Sequence, residues 1–171
     1  MKLQTIENYT AGGLAPDILV ELYVGPNHST PPKMSLTPKF PGIVVVWVEN
    51  KGDYPIYDLD IFMSHFKQDG GLSKTAEAFN QPLKKFEILK AGQTVSFQLP
   101  ADIAYRKENP VVSFDFFTSS KRGATKHLSR FYLSSNQWAY ARRSIDLGTT
   151  NVLASEVSTN YPHDLKGEPI W

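Results

Sequence analysis

Apolar and polar residues alternate with a period of two in one segment of this chain after another. Over 94–99, Val95, Phe97 and Leu99 fall on one side and Thr94, Ser96 and Gln98 on the other. After Pro110, Val112, Phe114 and Phe116 alternate with Ser113 and Asp115. Tyr57, Leu59, Ile61 and Met63 alternate with Asp58 and Asp60, and Ile18, Val20, Leu22 and Val24 do so less cleanly. Successive side chains of an extended chain point to opposite faces, so this period predicts half-buried antiparallel strands. The Val, Ile, Phe and Tyr content of the segments agrees with strand preference. Segment 43–48 is apolar on both faces. It predicts a central strand covered from two sides, with Trp47 buried inside it.

The segments between these runs read as turns. Asn50, Lys51, Gly52 and Asp53 separate two predicted strands, as do Lys90, Ala91, Gly92 and Gln93, each group holding a glycine for positive φ. Residues 119–123 turn the chain after the Phe-rich strand. The stretch 25–41 is rich in proline (Pro26, Pro31, Pro32, Pro38 and Pro41) and long for a connection. We expect it to cover the outer side of segment 43–48. One short helix is predicted over 73–79, with Ser73 as N-cap and Glu77 in its first turns. The expected fold class is therefore all-β, an antiparallel two-sheet β-sandwich of immunoglobulin-like or jelly-roll-like type with one short helix.

Length and composition narrow this further. A chain of 171 residues fits a single domain, 1–171, with a core of useful size and an irregular C-terminal tail over 159–171. Its apolar pair Ile170 and Trp171 is expected to fold back onto the domain. A net charge of +1 gives no global drive toward nucleic acid or an anionic membrane. The absence of cysteine excludes disulfides, thiolate metal sites and cysteine nucleophiles. Residues 1–13 carry no apolar run after Lys2, and no apolar run approaches the ~20 residues of a membrane helix. The expectation is a soluble chain without signal peptide or membrane span, its compartment open.

Segment 42–118 resembles the bacterial immunoglobulin-like sandwiches of the CARDB or fibronectin-like kind. The resemblance rests on Val46, Trp47, Val48, Glu49 and Asn50, the turn Lys51, Gly52 and Asp53, and the return opened by Tyr54, Pro55 and Ile56. Leu89, Gly92 and Val95 are similar to an edge of such domains, and 122–171 carries no such likeness. The resemblance implies an adhesion or interaction module without catalytic residues.

Candidate chemistry divides into three groups. Asp58 and Asp60 lie two apart and share a strand face; with Asp53 and Asp115 they would make an oxygen-rich calcium site or an acid/base pair. The alternation assigns them instead to a solvated face, and no calcium-loop pattern accompanies them. His28, His65, His127 and His163 lack metal-ligand spacing, and no nucleophile elbow or P-loop is present. No metal or cofactor is expected. Third, Lys121, Arg122, Lys126 and Arg130 gather near one predicted turn, with Arg142 and Arg143 beside Trp138 and Tyr140. Basic residues interleaved with aromatics suit single-stranded nucleic acid or a glycan, by ion pairing and stacking. The favoured expectation is a non-enzymatic protein that presents a surface to a protein partner or assembles with itself, as a structural protein of a virus particle does. A glycan- or nucleic-acid-binding module is the alternative, and an aspartate-based hydrolase comes last.

Overall fold

The computed structural model describes residues 15–23, 42–68, 81–103, 111–134 and 137–171. These hold nine strands: β1 (Asp17–Tyr23), β2 (Gly42–Glu49), β3 (Ile56–Gln68), β4 (Lys84–Leu89), β5 (Thr94–Ile103), β6 (Val111–Ser120), β7 (Gly123–Ser134), β8 (Gln137–Asp146) and β9 (Val152–Val157). They form a three-stranded sheet, β1-β2-β5, and a six-stranded sheet, β4-β3-β6-β7-β8-β9, antiparallel throughout. The chain is all-β here, and the two antiparallel sheets are compatible with a β-sandwich. No helix appears among the described residues, and so none long and apolar enough to cross a membrane. The expected helix at 73–79 and the proline-rich stretch 25–41 lie outside the described residues.

One core joins the sheets. Ile18, Val20, Val46, Val48 and Leu99 from the small sheet meet Leu59, Ile61, Val112, Phe114, Phe116 and Phe131 from the large one. Register explains the set. Ile18 lies opposite Val48 and Val20 opposite Val46, while Phe97 and Val95 continue the same face on β5. The alternation over 94–99 appears as expected, with Leu99 buried, Val95 and Phe97 partly so, and Thr94, Ser96 and Gln98 exposed.

Three expectations need correction. On β3 Leu59 and Ile61 are buried and Met63 packs on the core as expected, but Ile56 takes the core position expected of Tyr57, so the parity changes between 56 and 59. The cause is Asp58, whose φ of +51° lies in the left-handed region that aspartate tolerates better than most residues. Tyr57 is thereby turned from the core and lies under Lys121, whose Nζ stands 5.7 Å from the ring centroid. Alternation puts Asp115 on a solvated face, yet it is only 7% exposed. Trp47 lies in the middle strand of its sheet, as its segment predicted, but it is half-buried. Val46 and Val48 take the core face, so Trp47 points the other way.

Asn50 holds the end of the small sheet together. Its amide nitrogen donates to Tyr54 O at 2.8 Å and to Leu89 O at 3.0 Å, and its Oδ1 accepts from Gly52 N at 3.0 Å. Its backbone also bonds both sides of the 90–93 turn, donating to Gln93 O and accepting from Gly92 N. Gly92 has φ +69°, which a side chain would strain. At 1% exposure Asn50 has no water to fall back on. Asn50→Ala should therefore cost about 2–3 kcal/mol, because it leaves buried backbone groups unpaired. A shift in urea midpoint at unchanged slope checks this.

Candidate functional site

The basic and aromatic residues singled out by sequence are divided among three places. Residues opposite one another on antiparallel strands share a face. Arg142 lies opposite Ser129 and Glu156, whereas Arg143 lies opposite Leu128 and Ser155. Adjacent on β8, the two arginines project to opposite sides of the sheet. Tyr140 shares the side of Arg142. Lys126 and Arg130 share the side of Arg143, flanking Leu128 on β7. Lys121 and Arg122 sit on the exposed turn between β6 and β7. Trp138 lies on β8 opposite Leu133.

Most of the cations are already paired. Lys121 meets Asp58 at 3.4 Å. Arg130 meets Asp115 at 2.5 Å, with Lys126 on the other carboxylate oxygen at 3.6 Å. The Arg142 guanidinium grips Glu156 through Nε at 2.7 Å and also through Nη2. The Tyr140 hydroxyl donates to the same carboxylate at 2.5 Å. That bond and Arg142 hold the Glu156 carboxyl below its usual range, and the same bond raises the Tyr140 hydroxyl above its own. The aspartates do not gather. Asp60 pairs with Lys85 at 3.4 Å, Asp58 and Asp115 have the partners just named, and Asp53 stands on an exposed turn. Among the described residues no three or more His, Asp or Glu side chains are grouped to hold a metal ion.

Where the large sheet extends past β1, its inner face opens into a cleft of about 250 Å³. Asp17 and Lys51 line its small-sheet side, joined at 2.8 Å, and that bond raises the Lys51 pKa. Arg142, Ser144 and Glu156 line the opposite side, with Arg142 at 4.0 Å from Asp17. The charges run Lys51, Asp17, Arg142, Glu156 in alternating sign. Each is satisfied by its neighbours, so the row ties the rims of the two sheets together.

Beneath the cleft, His127 is 1% exposed. Its Nδ1 is 2.9 Å from Ser144 Oγ and its Nε2 is 3.0 Å from Thr118 Oγ1. Thr118 donates its own hydrogen to Thr125 O, so Nε2–H donates to Thr118 and Nδ1 accepts from Ser144. That assignment needs a neutral ring. Burial, partly opposed by the charge of Asp17, lowers the His127 pKa to about 4. The other histidines are apart: His65 is on β3 opposite Asp115, His163 is bridged to Pro169, and His28 lies outside the described residues.

The tail folds back on the outer face of β8. Tyr161 packs on Ala139 and Ala141 and donates its hydroxyl to Ile170 O at 2.6 Å. Asp164 closes a small hairpin by accepting from Lys166 N and Glu168 N. Trp171 then stacks on Arg143, with the guanidinium carbon 3.9 Å from the ring centroid.

Sequence reasoning missed Ser144, Glu156, Asp17, Lys51 and Trp171 as members of these clusters. A signal existed for one of them, Ser144. Counting back along the β7–β8 pairing from Ser134 opposite Gln137 sets His127 opposite Ser144. For Asp17 and Lys51 there was none, since they come from the other sheet. Comparison with protein-family models, with curated proteins and with solved structures finds no match to this chain.

Proposed function

We propose that this chain is an immunoglobulin-like β-sandwich that works by presenting a surface to another protein, a second copy of itself first of all, and performs no chemistry of its own. The sandwich reading is supported by the shared core and by strand order. The order β1-β2-β5 against β4-β3-β6-β7 follows the A-B-E and C′-C-F-G order of immunoglobulin-like domains, with β8 and β9 added beyond G. Fold alone assigns no role.

The observation that carries the role is edge strand β9. From Val152 to Glu156 its residues are exposed, Val152 by 52% and Leu153 by 45%. An open edge offers a row of unpaired backbone groups to any extended chain, and proteins usually guard it with charge, proline or a bulge. The opposite edge, β4, is guarded by Lys84, Lys85 and Glu87. β9 is guarded only by a slip in its pairing with β8 at Leu153, and its one charge, Glu156, is turned to Arg142 and Tyr140. Pairing of β9 with β9 of a second copy would extend the sheet without opposing like charges.

Size-exclusion chromatography with light scattering, run from micromolar to millimolar protein, tests this. The mass should rise with concentration, and Leu153→Lys should suppress the rise while leaving the melting temperature unchanged. A parent chain monomeric at every concentration would defeat self-association through this edge.

A further inference from the structure

The outer face of β7 and β8 carries more positive charge than it neutralises. Among the described residues of these strands and of β6, Lys126, Arg130 and Arg143 share it with a single carboxylate, that of Asp115, which the first two already occupy. Among the described residues Arg143 has no acidic partner. Its neighbour is the Trp171 ring, and this contact is incomplete: Arg143 Nε and Trp171 Nε1 are both buried without an acceptor. Both groups only donate, so neither can satisfy the other. Two buried donors without partners tax the closed arrangement, and each regains its bond when the contact opens. The segment is held besides by packing of Trp171 on the Ala139, Ala141 and Tyr161 cluster and by the bridge of Pro169 to His163. Beyond the stack there are the Tyr161 hydroxyl on Ile170 O and a longer bond from Ile170 N to Pro162 O at 3.3 Å, and Ile170 is half exposed.

The covering hairpin indicates what the face accepts. It is a peptide carrying Asp164 and Glu168 against Lys166, a net negative strap on a net positive surface. One unpaired arginine matches one carboxylate, presented side-on to Nε and a terminal nitrogen in the bidentate geometry that suits a guanidinium. A polyanionic nucleic acid would need a row of free cations, and here Lys126 and Arg130 are engaged with Asp115.

We propose that residues 169–171 are a displaceable cover over Arg143, and that the uncovered face binds an acidic segment of a partner protein, whose carboxylate replaces the Trp171 indole on the guanidinium. By strand parity the Arg143 side chain projects to the opposite side of the sheet from Arg142 and Glu156, and the surface is distinct from the β9 edge.

The test uses the full chain and a fluorescently labelled hexaglutamate peptide, followed by anisotropy at low salt, with an oligothymidylate of equal charge as the second probe. Trp171→Ala should bind hexaglutamate about tenfold more tightly than the parent, since the peptide no longer displaces a stacked ring. Adding Arg143→Gln should remove that gain. Leu153→Lys should leave it unchanged, which separates this surface from self-association. A folded Trp171→Ala with no gain, a gain that survives Arg143→Gln, or equal binding of the oligothymidylate would each overturn the proposal. Should Trp171→Ala fail to fold, the parent supplies the readout. Its Trp171 indole N–H resonance, assigned by its loss in Trp171→Phe, should shift saturably with hexaglutamate, and an unmoved resonance refutes the displacement.

Discussion

Acidification from neutral pH to about 4 should destabilise this fold by about 3 kcal/mol through His127 alone. The ring is neutral in the folded chain because burial lowers its pKa from 6.5 to about 4. The unfolded chain exposes it and takes up a proton near 6.5. Between those values the unfolded state therefore binds more protons than the folded one, and linkage makes stability fall as pH falls. The contribution is complete above about 6.5 and is lost on the way down to about 4. Ser144 and Thr118 bond the ring, Phe116 lies opposite His127 in register, and Asp17 is the charge that acts on it, softening the loss without reversing it. The carboxyls of Glu156 and Asp146, held below their usual values, lose their contributions at lower pH, as it falls through their folded pKa values. Urea unfolding at a series of pH values checks this. The slope between about 6.5 and 4 should disappear in His127→Gln, which keeps a polar side chain without a group that titrates there. A slope unchanged in that variant would assign the acid lability elsewhere.

How far the sequence reaches follows from what sets each feature. Alternation identified strands because a pleated chain exposes its two sides to different media, and 94–99 shows the rule undisturbed. On β3 it held for Leu59, Ile61 and Met63 and failed at Tyr57, where one left-handed residue, Asp58, shifts the faces by a step that no pattern of apolar residues records. It failed at Asp115 because a polar residue on a strand is solvated only if nothing covers it. Here Arg130 lies against the carboxylate, with both side chains nearly buried. The basic cluster illustrates the same limit. Lys126, Arg130, Arg142 and Arg143 are close in sequence, but strand parity separates Arg142 from the others and Trp171 caps Arg143 from a distant segment. Contacts within a hairpin can be counted from its turn. Contacts between sheets, such as Arg142 with Asp17, depend on packing that neighbouring residues do not encode.

Trp47 and Phe114 put this distinction to a quantitative test. Segment 43–48, apolar throughout, marks Trp47 as a core anchor, and on that reading Trp47→Ala would cost roughly 3–5 kcal/mol. Register assigns the core face of β2 to Val46 and Val48, leaving Trp47 half-buried on the other side between Leu19 and Ser96. Its truncation should then cost about 1–2 kcal/mol, in proportion to the apolar surface it hides. Phe114 is the better anchor. It is fully buried on an interior strand of the larger sheet and meets Phe131 edge-to-face, with ring centroids 6.1 Å apart at 82°. Phe114→Ala leaves a cavity bounded by both sheets, which can collapse little, and removes that aromatic pair. A cost of about 4 kcal/mol is expected, a large part of the roughly 5–15 kcal/mol that holds a typical domain folded. Urea midpoints at a common slope for the two variants make the comparison direct. If Trp47→Ala were the more damaging of the pair, the outer side of β2 would be a second core, and the assignment of the main core to the Val46 and Val48 face would fail.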